Sequence, residues 1–253
     1  MLEPQSIEGS GKTRLVESLR EQIDAVGGYY VAKKFDQFEH SNSNVISVFN
    51  DLCLRIQEKE PDLEKTAASL SETFGADLFL LLRLIPNARL LLPGRPAPAD
   101  EHCNHEDQMN VQSVAFVVSK FVRAVSSKEY PIMVFLDDIQ WISSVSQSAL
   151  SVLETIIADK ETCLIFVGNY RDNEVKHGHP IYHFIGNLES AEVPTTKITL
   201  QGLDPSSLNT LVSSNFACLE LSTFLLSDIA TQQFHAFRCF SSRYRMPLDC
   251  SRV

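Results

Sequence analysis

The stretch Ser6-Ile7-Glu8-Gly9-Ser10-Gly11-Lys12-Thr13 decides how the rest of the chain is read. It meets the G-x-x-x-x-G-K-[ST] spacing of a phosphate-binding loop at every fixed position but the first, where Ser6 stands in place of glycine. The chemistry asks for glycine because backbone N–H groups must turn inward around phosphate oxygens, and a Cβ obstructs that turn. Gly9 and Gly11 supply two such positions, with Ser10 between them. Lys12 is placed to reach the outer phosphates and Thr13 to offer its hydroxyl to Mg²⁺. Directly behind the loop, Leu15, Leu19, Ile23 and Val26 recur at steps of four, four and three, which predicts a helix from Gly11 to about Val26. Its positive end would face the same phosphates.

Outward from that helix, Gly27-Gly28 marks a stop and Tyr29 to Phe38 reads as a strand and its exit. A helix is expected over Asn44–Lys59, with Val45, Val48, Phe49, Leu52 and Ile56 on one face. Residues 61–92 read as further helix broken at Gly75 and Pro86. Three prolines in Pro93-Gly94-Arg95-Pro96-Ala97-Pro98 block both helix and sheet, so an exposed excursion is expected near 93–106. Gln108–Ser127 is a predicted core-facing helix, followed by the apolar strand Pro131–Leu136 that ends in Asp137-Asp138. The alternation continues with helix Val145–Asp159, strand Thr162–Gly168, a short helix Ile181–Leu188, strand Thr196–Leu200 and helix Pro205–Ser213. Strands that are apolar on both faces and separated by helices imply a parallel sheet covered on both sides.

A carboxylate at the end of a strand next to a phosphate loop holds Mg²⁺, and a second acidic group orients the attacking water. Asp137 fits the first role and Asp138 the second, although a strand ending in Asp-Asp is by itself an ordinary turn. Composition narrows the partners. Thirty-two acidic against 22 basic side chains give a formal net charge of −10, which repels phosphate backbones and argues against broad nucleic-acid binding. The longest apolar run, Leu78–Leu92, is interrupted by Arg83, Pro86, Asn87 and Arg89, so no bilayer span is expected. With neither a basic nor an apolar segment at the start, a cytoplasmic location is expected. The six cysteines form no C-x-x-C pair, and His102-Cys103-Asn104-His105 is not expected to hold zinc.

Gly9-Ser10-Gly11-Lys12-Thr13, the stretch from Pro131 through Leu136-Asp137-Asp138-Ile139-Gln140-Trp141, and Ile165 to Val175 together resemble the origin-recognition-complex-like AAA ATPase domain of the signal-transduction ATPases with numerous domains. Gly28 to Gln37 is similar to the strand that follows that domain's first helix. The resemblance implies a P-loop NTPase of three α/β/α layers, a parallel sheet in the order 5-1-4-3-2, an ATP·Mg²⁺ site at the strand ends and a helical lid. It also implies Arg171 as the sensor of the γ-phosphate; read alone, Arg171 is a surface arginine paired with Asp172 or Glu174. Trp141 is expected to pack beneath the acidic strand end.

Two features depart from that pattern. Only Met1 to Gln5 precede the loop, so the family's first strand is largely missing, which would leave a gap and two edges inside the sheet. From Ile229 to Val253 there are four arginines, one aspartate and no lysine, and no lid can be traced. The expected division is an AAA-like domain over 1–215 and a degenerate or disordered tail over 216–253, the chain being truncated at both ends relative to the family. The resulting expectation is an ATP·Mg²⁺-binding module of a signalling protein in which binding outweighs hydrolysis. Its partners would be a nucleotide and other protein domains, without a membrane, and with homo-oligomerisation open. The alternatives are a catalytically dead NTPase-fold scaffold and, behind it, an ATPase like a DNA-replication initiator.

Overall fold

The computed structural model describes residues 12–35, 43–60, 63–94, 109–141, 147–171, 174–200 and 235–241; of residues 12–14, 43–44, 147, 199–200 and 235–241 it describes the backbone alone. Helix α1 (Lys12–Ala25) leads through a turn at Val26 and Gly27 into β1 (Tyr29–Lys34). Gly28 makes that reversal tight, because a Cβ there would meet the Pro131 carbonyl oxygen at 2.5 Å and Ile23 Cγ2 at 2.9 Å. Helices α2 (Ser43–Lys59), α3 (Glu64–Phe74) and α4 (Leu78–Leu84) follow, with 3-10 turns at Gly75–Asp77 and Pro86–Leu91, the two predicted breaks. Helix α5 (Val111–Val125) starts three residues later than expected, because the Asn110 side chain accepts from the Ser113 amide at 2.8 Å and caps the helix there. Then come β2 (Ile132–Asp137), α6 (Gln147–Ala158), β3 (Leu164–Arg171), α7 (Pro180–Ser190), β4 (Thr195–Leu200) and β5 (His235–Ser241).

The sheet runs β1-β2-β3-β5-β4. Its first three strands are parallel, with Tyr29 beside Ile132 and Ile132 beside Leu164. Alternate residues of these strands feed two apolar clusters. Tyr29, Val31, Ile132, Val134, Leu136, Leu164 and Phe166 point into the larger cluster with residues of α2 to α7. Met133, Ile165 and Val167 point into a smaller one with Leu15, Val16 and Ile23 of α1. Both faces are therefore covered, as strands this apolar require, but among the described residues α1 is the only helix on the second face.

The resemblance implies an all-parallel sheet in which a further parallel strand lies beside β3. The structure differs: β5 lies antiparallel against β3 with Ile165 beside Ser241 and Arg171 beside His235, and β4 pairs with its other edge. Backbone ladders form in either direction, so a strand arriving from the carboxyl-terminal side can close a place that the family gives to a parallel one. Of the tail expected over 216–253, His235–Ser241 is this strand. The remainder of the tail, the expected helix 205–213, the excursion from residue 95 onward and the His102 to His105 group lie outside the described residues. No helix among the described residues is long and apolar enough to cross a membrane.

Candidate functional site

The carboxyl ends of the parallel strands carry the charged side chains, as in open α/β sheets that bind ligands there. Lys34 ends β1, Asp137 ends β2 with Asp138 next, and Asn169 and Arg171 end β3. Helix α1 belongs to the same end. Fourteen helical residues span roughly 21 Å and six strand residues roughly 20 Å. After the turn at Gly27, α1 and β1 run side by side in opposite directions, so the backbone of Lys12 reaches the level of Lys34. Gly9, Ser10 and Gly11, with the side chains of Lys12 and Thr13, lie outside the described residues.

Asp137 and Asp138 sit in different surroundings. Asp137 is half-buried; its Oδ1 accepts from the Asn169 amide nitrogen and, at 3.1 Å, from the Asp138 backbone N–H. Asp138 takes a left-handed backbone, φ 54°, which aspartate tolerates better than most side chains. Its own side chain is only 4% exposed. Lys34 Nζ stands 3.5 Å from its Oδ2, Arg171 Nε 3.2 Å from its Oδ1, and Gln140 Nε2 donates to that Oδ1 at 3.1 Å. The Arg171 Nε contact is electrostatic only, since the angle does not make a hydrogen bond. Arg171 also donates to Glu174 Oε1 at 3.0 Å, the pairing that the bare sequence suggests. Burial works against the charge on Arg171, but Asp138 and Glu174 outweigh it and push its pKa up, so the guanidinium stays charged. Trp141 is partly buried and packs against the large cluster.

Three residues beyond those expected complete the group: Lys34, Asn169 and Gln140. Asn169 is fully buried, and among the described residues its Oδ1 has no partner. The sequence signal for it is a lone amide inside the otherwise apolar run of β3, one register step beyond the pairing of Leu136 with Gly168 and hence beside Asp137.

A helix start, a half-buried carboxylate and two cations converge on one end of a parallel sheet, and the family comparison agrees with that arrangement. A model of the AAA ATPase domain family matches residues 7–165, well over half of the chain. The chain belongs to this family. The matched span of the AAA ATPase domain opens inside the glycine loop and includes Lys12, Asp137, Asp138 and Gln140; it ends before Asn169 and Arg171. No curated protein and no solved structure matches the chain.

AAA ATPase domains bind ATP with Mg²⁺, and the residues present fit both. Asp137 offers carboxylate oxygen at a strand end with a buried acceptor, Asn169 Oδ1, beside it, a donor set suited to a hydrated hard cation. Lys34 and Arg171 place positive charge at the same end of the sheet.

Proposed function

We propose that this AAA ATPase domain is the nucleotide-binding regulatory module of a signalling protein, similar to the origin-recognition-complex-like subtype, and that ATP·Mg²⁺ binding outweighs hydrolysis in it. The observation that carries the second half is the state of Asp138. A carboxylate that is to orient water needs a free oxygen facing the reacting phosphate. Here two cations and an amide engage the carboxylate, and it is almost entirely withdrawn from solvent.

In this reading the amides of Gly9, Ser10 and Gly11, together with Lys12, hold the phosphates. Thr13 and Asp137 hold the metal, which when bound neutralises charge on the outer phosphates. Arg171 meets the γ-phosphate, and Asp138, engaged by Arg171 and Lys34, does not reach the attacking water. Binding survives on the loop and Asp137 alone, whereas turnover needs every part aligned at once.

The test separates the two activities. Asp137→Asn should weaken ATP binding in Mg²⁺ roughly tenfold or more and leave metal-free binding unchanged, as read by equilibrium titration. Single-turnover assays should give the same slow hydrolysis for wild type and Asp138→Asn. Rapid hydrolysis lost in Asp138→Asn would overturn the proposal. Absence of any binding at millimolar ATP would support the scaffold instead.

A further inference from the structure

Gln140, the glutamine of the Leu-Asp-Asp-Ile-Gln-Trp string, is given no role by the reading above, yet it is buried at 5% exposure. Its Nε2 donates to Asp138 Oδ1 at 3.1 Å and to Glu174 Oε2 at 2.9 Å. Arg171 then joins the same two carboxylates from the other side, 3.2 Å from Asp138 and 3.0 Å from Glu174. The four side chains close a ring, with Arg171 held between two acids whose spacing Gln140 sets. The orientation of the Gln140 amide is not arbitrary. Turned over, its oxygen would face two carboxylates; as it stands both acids receive N–H, and among the described residues Oε1 has no partner. Buried amides seldom leave an acceptor unused, so the position is fixed by the acids rather than by the amide's own needs. The Gln140 backbone carbonyl is in turn held by His179 Nε2 at 3.1 Å, and His179 caps α7 through its other ring nitrogen.

We propose that Gln140 is a positioning residue of the nucleotide site, clamping Asp138 to Glu174 so that Arg171 is aimed and ready to distinguish ATP from ADP. This rests on the nucleotide-binding reading above and deepens it. In this arrangement Gln140 acts through Arg171 and the two acids that flank it. Without its two N–H groups the carboxylates separate, Arg171 follows one of them, and the site loses γ-phosphate recognition while the phosphate loop still holds a diphosphate.

The experiment compares ATP·Mg²⁺ and ADP·Mg²⁺ affinities of the full chain by titration, with Lys12→Ala as the control for binding at the loop. Wild type should prefer ATP by roughly tenfold, the scale of one charge-assisted contact. Gln140→Met, which keeps the volume and removes the donors, should retain ADP affinity and bring the preference to within about twofold, as should Arg171→Ala; the double variant should lose nothing more. Gln140→Glu, which keeps the shape and adds a third carboxylate, should do the same or worse. A purely packing role would leave the ATP:ADP ratio unchanged in Gln140→Met, and that result overturns the proposal. So does equal affinity of wild type for the two nucleotides. If Gln140→Met does not fold, Glu174→Gln, on the partly exposed side of the ring, carries the test and should lower the ratio in the same direction. Binding of neither nucleotide in a Lys12-dependent way overturns the underlying nucleotide reading, and the role of Gln140 with it.

Discussion

Two neighbouring aspartates with the same side chain differ because of what the fold puts beside each. Asp137 has hydrogen bonds to only one of its oxygens among the described residues, whereas the left-handed turn at Asp138 carries the next carboxylate between two cations and the Gln140 amide. Asp137 and Asp138 stand out in the sequence because paired charge ends an apolar run, whereas Arg171 is singled out only by the family resemblance and read alone is a surface arginine. Lys34 and Gln140 do not stand out, because nothing local says that a lysine at position 34 and a carboxylate at 138 meet across strands. A third acid, away from the site, shows the same dependence on surroundings. Asp159 follows the last residue of α6 and accepts hydrogen bonds from Ser119 Oγ, from Arg123 Nε at 2.6 Å and, through Oδ1, from the Glu161 amide at 3.0 Å. Burial raises its pKa, but the Arg123 and Ser119 hydrogen bonds outweigh that and hold the carboxyl below its ordinary value. A lowered native pKa stabilises the fold above the unfolded value, about 3.9, and the gain is lost as pH falls through the native one. Asp159→Ala should therefore cost about 2 kcal/mol at pH 7. In urea unfolding that difference from wild type should shrink progressively below about pH 4.

At the scale of elements, the helices and first four strands follow from local periodicity, and their observed ends fall within a few residues of the predicted ones. Asn110 shifts α5 because a capping amide outranks the apolar repeat that extends past it. β5 could not be read in the same way. Its partners, β3 and β4, are remote in sequence, and the arginines around it disguise a strand as a polar tail. Lying between two strands, β5 contributes to two ladders at once, with Phe237 opposite Asn169 on one side and Ile198 on the other. Proline at this central position removes a backbone N–H from one of the two ladders, and its ring crowds the neighbouring backbone. Phe237→Pro should cost about 3 kcal/mol, or roughly 10 °C in melting temperature for a chain of this size. A change under about 2 °C would mean that β5 does not hold the sheet together.

For the whole molecule, one sheet end collects the start of α1, Lys34, Asp137, the Asp138 ring and Asn169, while the opposite end holds turns such as that at Gly28. The fold class was legible because apolar strands alternating with amphipathic helices leave few other architectures. Sheet completion by β5 and the engagement of Asp138 were not, since both arise only when distant segments meet. The central claim is that this end of the sheet binds ATP·Mg²⁺ through Lys12, and the most direct measurement is melting temperature with and without the nucleotide. A ligand at about a hundred times its dissociation constant adds roughly 2.7 kcal/mol, so ATP·Mg²⁺ should raise the midpoint of wild type by at least about 5 °C and leave Lys12→Ala where it was. An equal shift in both proteins, or none in wild type at millimolar ATP, would contradict the account.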